Sequence, residues 1–297
     1  MVDTVEIAGR PIGADEPCLV VAEIGINHNG DIGLGRKLIA AAAAAGCDAV
    51  KFQKRTVDVV YTPDELDRPR ESPFGTTNGE LKRGLEFDVD GFRAIDEYCR
   101  LLDTVWFASC WDEESVDFIE QFDPPCYKIA SASLTDDDLL RHHRKYGRPI
   151  VLSTGMSDVR EIDHAVDVLG TDNLILLHAT STYPSELEEL NLRAIVTLRE
   201  RYGVPVGYSG HDVGLATTLA ARTLGACMVE RHITLDRAMW GSDQAASVEP
   251  AGFQRMVKDI RAIEAALGDG IKVVYESEIP VREKLRRVDV HRRSAET

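Results

Sequence analysis

The chain has 297 residues and carries 34 lysines and arginines against 50 aspartates and glutamates, which gives a formal net charge of −16. A protein this acidic is not a general nucleic-acid binder, since binding a polyanion requires a surface with a dominant positive field. With 44% hydrophobic and 28% charged residues, the composition is that of a globular protein and excludes disorder as the main state.

The chain shows no sign of being a membrane or secreted protein. No stretch has the roughly 18 uncharged apolar residues of a membrane span, and the first residues lack the layout of a signal peptide. Six cysteines are scattered without a Cys-x-x-Cys pair, which predicts buried free thiols. We therefore expect a cytoplasmic protein that has no nucleic-acid or membrane partner.

Eight short apolar runs, rich in residues that favour β-strands, recur along the chain after a small hairpin predicted at VEIAGRPIG. Continuous rather than alternating hydrophobicity is typical of strands that are buried on both faces of a parallel sheet. The predicted strands span residues 18–25, 49–53, 105–109, 126–131, 149–155, 174–180, 205–210 and 227–234.

An amphipathic helix is predicted after each strand, and glycines such as Gly46 and Gly170 mark several of the helix ends. The predicted helices span residues 33–45, 88–102, 112–121, 136–146, 158–169, 191–202, 213–224 and 250–267. Eight strands alternating with eight helices predict an α/β fold of the (βα)8 TIM barrel type. An open doubly wound sheet is the competing fold, but its Gly-x-Gly-x-x-Gly turn is missing after the first strand.

The predicted domain organisation is an N-terminal hairpin in residues 1–17, a catalytic barrel in 18–269 and a basic tail in 270–297. We expect the hairpin to plug the barrel floor and the last residues of the tail to be frayed. A long insert, residues 54–87, follows the second strand on the side where barrel enzymes bind substrates, and long segments there act as lids or binding loops. Its candidate substrate-binding cations are Arg55, Arg68, Arg70, Lys82 and Arg83.

The residues at the C-terminal ends of the predicted strands are mostly polar. In a barrel these strand ends meet at one rim and face the active site. Buried polar groups cost free energy unless they are paired, so packing alone does not explain a polar residue at the end of every strand. The candidates are Glu23, Asn27, His28, Lys51, Gln53, Ser109, Lys128, Ser131, Ser133, Ser153, Thr154, His178, Thr180, Ser181, Tyr183, Tyr208, Ser209, His211, Glu230, His232 and Asp236.

Lys51 and Lys128 end two different strands in apolar surroundings. Two lysines that converge in so acidic a protein predict a local anion pocket. Serine hydroxyls at neighbouring strand ends would supply further donors to a bound phosphate or carboxylate. The alternative interpretation is that each lysine pairs with a buried carboxylate such as Glu23 or Glu230. The serines concerned are Ser131, Ser153 and Ser209.

His211 and His232 end the seventh and eighth predicted strands, so their imidazoles are neighbours across adjacent strand tips. Two imidazoles with open positions suit a divalent metal that takes substrate oxygens as further ligands. The alternative is that each histidine is a hydrogen-bonded core residue. Three other histidines are predicted to be surface residues, namely His142, His143 and His164.

Several segments of the chain form an ordered set of motifs. They are EIGINHNGD (23–31), KFQ (51–53), YKIASAS (127–133), VLSTGM (151–156), LLHATSTYP (176–184), GYSGHDVG (207–214), ERHITLD (230–236) and GSDQAASVEP (241–250). In this order the chain resembles the sialic acid synthase (N-acetylneuraminate synthase) family, collinearly from about residue 3 to residue 288. Such an ordered set is far more specific than a single glycine motif.

The resemblance implies a barrel enzyme that condenses phosphoenolpyruvate with an N-acyl hexosamine such as N-acetylmannosamine, or a related aldose, to a 2-keto-3-deoxy sugar acid and phosphate. It implies a homodimer and a divalent metal, commonly Mn²⁺ with Mg²⁺ or Co²⁺ as other options, held by His211 and His232. The implied catalytic residues are Glu23, Lys51, Lys128, His211 and His232. The implied substrate-binding residues are Gln53, Ser109, Ser131, Ser153, Ser181, Tyr183, Ser209 and Asp243.

Three features depart from the family pattern. Ser181 stands where the family usually has Asn, and Ser109-Cys110-Trp111 stands where it usually reads Thr-Pro-Phe. The family's C-terminal antifreeze-like domain, which supplies an arginine to the N-acyl group in the partner subunit, is expected to be absent. We therefore expect the insert at 54–87 to cover the acceptor in its place.

Two other functions stay open. One is a metal-dependent barrel lyase or hydrolase that uses the same two histidines, and the other is a non-catalytic barrel that binds a sugar or a partner. The sequence does not determine the acceptor. Consumption of phosphoenolpyruvate only when an aldehyde acceptor is present would distinguish the synthase from the other enzymes.

Overall fold

The computed structural model describes residues 4–288 and begins with an antiparallel hairpin of β1 (Val5–Ile7) and β2 (Arg10–Ile12). The apolar side chains of the hairpin are buried, and they pack in one cluster with residues near the N-terminal ends of the strands that follow, such as Val21 and Ala49. The predicted hairpin and its position at the barrel floor are confirmed.

Eight parallel strands close into a barrel in which neighbouring strands follow one another along the chain. They are β3 (Leu19–Gly25), β4 (Ala49–Lys54), β7 (Val105–Cys110), β8 (Tyr127–Ile129), β9 (Ile150–Ser153), β10 (Leu174–Ala179), β11 (Val206–Gly210) and β12 (Met228–His232). Almost all of their residues are buried, so both faces of each strand are covered, as the continuous apolar runs predicted. The (βα)8 barrel and all eight predicted strands are confirmed.

Each barrel strand is followed by one of the eight predicted helices, whose apolar faces cover the outside of the barrel. They are α1 (Ile32–Ala44), α5 (Val89–Leu101), α6 (Glu113–Glu120), α7 (Asp137–Arg144), α8 (Val159–Leu169), α9 (Ala194–Tyr202), α10 (Ala216–Thr223) and α11 (Pro250–Leu267). Aspartate side chains accept hydrogen bonds from free backbone N–H groups at several of the N-termini, for example Asp31 at α1 and Asp158 at α8. These caps fix where the capped helices begin.

The insert between β4 and α5 is a folded subdomain instead of an irregular loop. It contains α2 (Val57–Val60), α3 (Pro63–Leu66), β5 (Pro69–Ser72), β6 (Gly75–Thr77) and α4 (Asn78–Gly84). Capping boxes start two of its helices, with Thr62 and Glu65 at α3 and Thr77 and Glu80 at α4. Buried leucines such as Leu81 anchor it, so the insert is a preformed wall.

By their internal contacts the residues up to Ile263 form one unit, and a second unit from Glu264 contains α12 (Ile279–Leu285). Short 3₁₀ turns occur at Ser131–Ser133, Leu187–Glu189, Gln244–Ala246 and Glu276–Glu278. The predicted boundary at residue 269 stays a prediction, and the predicted fraying of the last residues lies outside the described part of the chain. Within residues 4–288, no helix combines the length and the apolar character that crossing a membrane requires.

The structure confirms the prediction of free cysteine thiols and corrects the predicted exposure of one histidine. All six cysteines are free thiols, and all except the half-buried Cys47 are buried. His143, predicted to be a surface residue, is buried, because it lies one helical turn after the buried Leu139 and its Nδ1 hydrogen-bonds the Leu139 carbonyl oxygen at 2.9 Å. His164 is exposed as predicted, whereas His142 is half-buried and bonded to Asp117 at 2.6 Å.

Candidate active site

One cavity of about 320 Å³ opens at the C-terminal ends of the barrel strands, and all thirteen predicted site residues line it. The side chains point inward because residues two apart on a strand share a face, as Lys51 and Gln53 do on β4. The thirteen residues are Glu23, Lys51, Gln53, Ser109, Lys128, Ser131, Ser153, Ser181, Tyr183, Ser209, His211, His232 and Asp243. Glu230, a strand-end candidate on β12, lines the same cavity.

Lys51 lies between two buried carboxylates. Its Nζ is 2.8 Å from Glu230 Oε2 and 3.4 Å from Glu23 Oε2. The adjacent strands β12, β3 and β4 bring these groups together, and β3 pairs Glu23 with Lys51. Burial alone would lower the pKa of Lys51, but the two carboxylates raise it above its ordinary value. Pairing with carboxylates, the alternative left open by the sequence, is therefore correct for Lys51.

The two carboxylates beside Lys51 differ in their protonation. Burial raises the pKa of Glu23 in spite of Lys51 and of a hydrogen bond from Gln53 Nε2 at 2.8 Å. Burial also opposes ionisation of Glu230, but Lys51, Lys128 and a hydrogen bond from Ser209 Oγ at 3.0 Å lower its pKa to about 2. Glu23 is thus the carboxyl able to carry a proton, while Glu230 stays ionised.

Lys128 has no carboxylate within ion-pair distance among the described residues. It is 2% exposed, and its Nζ donates to Ser153 Oγ at 2.6 Å and to the Ile129 carbonyl oxygen at 3.0 Å. Burial and the nearby Lys51 lower its pKa to about 7. Lys128 is therefore a buried donor whose charge is available to a bound anion.

Gly155 allows two serine hydroxyls to approach the backbone beside Lys128. A Cβ at this position would lie 2.2 Å from Ser181 Oγ and 2.8 Å from Ser131 Oγ, so no other residue fits without displacing them. The Gly155 N–H donates to Ser131 Oγ at 3.0 Å. The hydroxyls and Lys128 together make a cradle of donors for an anion.

The two histidines predicted as metal ligands lie side by side, with their ring centroids 5.8 Å apart. His211 Nδ1 bonds the Thr180 carbonyl oxygen at 2.7 Å, so this nitrogen carries the hydrogen and Nε2 presents its lone pair, which Tyr183 OH approaches at 3.0 Å. Burial and the neighbouring His232 lower the pKa of His211 to about 4, which keeps the ring neutral.

These residues fit a divalent metal held by two imidazoles. His232 Nδ1 is buried without a hydrogen-bond partner, and Asp243 Oδ2 lies 3.9 Å from it. Neutral imidazole is the form that binds metal. Among the described residues, no group of three His, Cys, Asp or Glu side chains is arranged to hold a metal ion by itself. A metal at this position would need water or substrate oxygens as further ligands.

The model of the NeuB family matches residues 38–272 of the chain. The chain belongs to this family. It is similar to N-acetylneuraminate-9-phosphate synthase from Homo sapiens, with 37% identity over 282 residues, covering 93% of this chain and 79% of that protein. It is also similar to N,N'-diacetyllegionaminic acid synthase from Legionella pneumophila, with 34% identity over 288 residues, covering 94% of this chain and 81% of that protein.

A solved structure of the same kind supports the NeuB assignment. The sialic acid synthetase from Leptospira borgpetersenii, crystallised with citrate, superposes with a TM-score of 0.84 and 29% identity, covering 97% of this chain and 99% of that chain. The resemblance to sialic acid synthases is therefore confirmed, and the two relatives reported above are named as sugar-acid synthases.

The NeuB barrel of this chain has one cavity wall that the thirteen predicted residues do not include. Arg55 lies with its guanidinium carbon 4.9 Å from the Trp111 ring centroid, and Lys82 Nζ lies 5.0 Å from the Tyr61 ring centroid. All four side chains line the cavity, as do Met156 and Ser242. Of the five candidate cations of the insert, Arg55 and Lys82 thus reach the cavity, and Arg68, Arg70 and Arg83 are not among its described lining residues.

Several polar strand-end candidates do not line the cavity but hold together the segments around it. The Asn27 side chain donates to the Ile233 carbonyl oxygen and to Ser247 Oγ, each at 2.8 Å, and the His28 ring stacks on Phe87. The Asn27 bonds join the segments after β3 and β12, and the His28 contact joins the segment after β3 to the end of the insert. The candidates that are not among the described lining residues are Asn27, His28, Ser133, Thr154, His178, Thr180, Tyr208 and Asp236.

Proposed function

We propose that this NeuB-family chain condenses phosphoenolpyruvate with an open-chain N-acyl hexosamine or a related aldose, forming a 2-keto-3-deoxy sugar acid and inorganic phosphate. The observation that carries the proposal is that one cavity combines a donor cradle around Lys128 with the His211 and His232 pair. The names of the relatives support a sugar-acid product but differ in the sugar, so the acceptor is proposed only as a class.

Phosphoenolpyruvate is proposed to bind at Lys128, with its phosphate and carboxylate held by the surrounding hydroxyls. Lys128 supports this role because its charge is not matched by a carboxylate among the described residues, whereas Lys51 is paired with the ionised Glu230 at 2.8 Å. A bound anion raises the pKa of Lys128 from about 7 and keeps it protonated. The hydroxyls belong to Ser109, Ser131, Ser153 and Ser181.

The condensation forms one carbon–carbon bond and breaks the bond between phosphate oxygen and carbon. The methylene carbon of phosphoenolpyruvate attacks the aldehyde carbon, and the aldehyde oxygen takes a proton, for which the protonated Glu23 is the proposed donor. Water then adds to the former enol carbon and returns one proton to Glu23. The resulting tetrahedral carbon expels phosphate, which takes the remaining hydroxyl proton, and the oxygen that came from water becomes the keto oxygen.

The proposed metal site is the His211 and His232 pair. A divalent ion bound there, Mn²⁺ by the resemblance, would act as a Lewis acid toward the aldehyde oxygen. The protein's own part is to keep the His211 imidazole neutral, as its pKa of about 4 supports, and to hold the His232 ring next to it. Asp243 lies beside His232 and is proposed to orient the acceptor hydroxyls.

The acceptor is proposed to lie against the insert wall. Arg55 Nε and Trp111 Nε1 are both buried without a hydrogen-bond partner, and a buried donor of this kind costs free energy until a ligand or water satisfies it. Lys82 makes no ion pair among the described residues and adds a third donor.

We expect Lys82→Met to raise KM for the acceptor more than KM for phosphoenolpyruvate. Arg68→Gln is the matched control, because Arg68 is an insert cation outside the described cavity lining.

The proposed function is tested with purified protein, phosphoenolpyruvate, Mn²⁺ and a panel of N-acyl hexosamines and plain aldoses. We expect phosphate release only when an acceptor is present, together with a 2-keto acid of the combined carbon number in the mass spectrum. Phosphate release without an acceptor would indicate a hydrolase or lyase. No consumption of phosphoenolpyruvate with any acceptor or divalent metal would contradict the synthase.

The homodimer rests on the family resemblance alone. We propose it as the state in solution, and light scattering after size-exclusion chromatography measures it directly. A monomeric mass at micromolar concentration would contradict the proposal without affecting the proposed reaction.

A further inference from the structure

Arg231 is a buried charge that lies next to the cavity but does not line it. Glu230 and His232 flank it on β12 and both face the cavity, and because side chains alternate along a strand, Arg231 points away from the barrel axis. It is 1% exposed. The proposed reaction makes no use of this guanidinium, so its partners show what it does.

The partner of Arg231 is Asp212, the residue that follows the first of the two metal-site histidines. Arg231 Nη1 lies 3.5 Å from Asp212 Oδ1 and donates to Thr218 Oγ1 at 2.8 Å, while Nη2 donates to the Asp212 carbonyl oxygen. Asp212 also accepts hydrogen bonds from the hydroxyls of Tyr208 at 3.0 Å and Thr217 at 2.5 Å. This fully buried ion pair is therefore supported by further hydrogen bonds, which offset its desolvation.

Gly210 leaves the space that the arginine occupies. It is paired with Arg231 between β11 and β12, and a Cβ on Gly210 would lie 3.1 Å from Arg231 Cδ and 2.6 Å from Tyr208 Cε1. The end of β11 thus supplies both the room for the arginine and, two residues later, its carboxylate. The contact is built into this pair of strands and is not an incidental surface bridge.

We propose that Asp212 and Arg231 are positioning residues that set the distance between His211 and His232. The ion pair joins the residue after one histidine to the residue before the other. His211 has an anchor of its own in the Thr180 carbonyl oxygen, at 2.7 Å. His232 Nδ1 has no hydrogen-bond partner, so, apart from ring contacts such as that with Tyr183, the position of the ring depends on how its strand is held. This inference rests on the proposed metal site.

Titration of the full chain with Mn²⁺ alone, with free Mn²⁺ read by electron paramagnetic resonance, tests the inference without relying on turnover. We expect Arg231→Met and Asp212→Asn to raise the Kd for Mn²⁺ by about tenfold or more, as loss of the groups that orient metal ligands does in other proteins. Arg231→Lys keeps the charge but not the two-pronged contact, so it should recover part of the affinity. Thr218→Val is the milder variant if the charge removals do not fold.

The matched control is Asp48→Asn, which removes a carboxylate at the opposite end of the barrel. Asp48 accepts from Arg10 at 2.5 Å and from Arg261 at 2.7 Å, just before β4 begins. This variant should lower the thermal midpoint without changing the Kd for Mn²⁺. It separates a positioning effect from general destabilisation.

Two results would overturn the inference while leaving the metal site intact. One is an unchanged Kd in every folded variant of Asp212, Arg231 and Thr218, and the other is an equal rise in Kd for Asp48→Asn. A wild-type protein that binds no Mn²⁺, or a His211→Ala variant that binds it equally well, would overturn the metal site and the inference together.

Discussion

The Lys128→Met variant tests the electrostatic state of the cavity through protein stability. Burial and Lys51 lower the pKa of Lys128 from its ordinary 10.5 to about 7 in the free protein. At about 1.4 kcal/mol per pH unit, this corresponds to about 5 kcal/mol of destabilisation when the lysine is protonated in the fold. Methionine removes that penalty but leaves Ser153 and the Ile129 carbonyl without their donor, at a cost of about 2 to 4 kcal/mol. We expect a net stabilisation of about 1 to 3 kcal/mol near pH 6.

The pH dependence of this difference is the sharper measurement. The unfolded chain keeps the lysine proton up to its ordinary pKa of 10.5, whereas the folded chain releases it near 7. The penalty is therefore fully present below about pH 7 and is lost as the pH rises toward 10.5. The advantage of Lys128→Met over the wild type should shrink steadily over that range. Urea unfolding at a series of pH values measures it.

Phosphoenolpyruvate connects the stability measurement to function. Added ligand should stabilise the wild type and not the Lys128→Met variant, because only the wild type has the cation that binds the anion. Lys54→Met is the matched control. Lys54 is the last residue of β4, and its Nζ is paired with a Glu86 carboxylate oxygen at 3.3 Å. Over the pH range in which Glu86 is ionised, the control should lose a similar amount of stability at each pH. A pH-independent difference between Lys128→Met and the wild type would refute the reasoning.

The remaining predictions concern the metal and the anion cradle. His211→Ala should abolish both retention of Mn²⁺ and turnover, which metal analysis and phosphate release will check, and full activity after metal removal would contradict it. Because Lys128 titrates near pH 7 in the free protein, kcat/KM for phosphoenolpyruvate should fall above that pH, and Lys128→Arg should move this limb to higher pH. Gly155→Ala should raise KM for phosphoenolpyruvate by about tenfold, since its Cβ would displace two serine hydroxyls; an unchanged KM in initial-rate measurements would show that they do not bind it.

The barrel was predictable because its signal is repeated and strong. Each strand is an uninterrupted apolar run and each helix has one apolar face, so tertiary contacts and local preference agree at every element. The inside of the insert was not predicted, since its elements are only three to seven residues long and show no period. The Thr-x-x-Glu spacing of Thr62 with Glu65 and of Thr77 with Glu80 was the available signal for two of its helices.

The members of the site were predictable, but their pairing was not. A strand end shows which residues face the cavity, whereas the register between strands decides which of them touch. Lys51 and Lys128 have the same apolar context in the sequence, yet only Lys51 lies beside the Glu23 and Glu230 carboxylates of adjacent strands. The predicted exposure of His143 was wrong for a similar reason. On a helix, a shift of one residue is enough to move a side chain from the exposed face to the core face.

The unequal surroundings of Glu23 and Glu230 give the cavity one carboxyl group that stays protonated when substrate binds. Glu230 is held ionised by both lysines, whereas burial keeps the pKa of Glu23 raised although Lys51 is near. Phosphoenolpyruvate brings further negative charge into the same cavity, and a nearby like charge raises a carboxyl pKa further. Under the proposed function, Glu23 therefore holds its proton more firmly in the complex than in the free protein. It releases that proton only when the aldehyde oxygen gains negative charge, at the step that needs it.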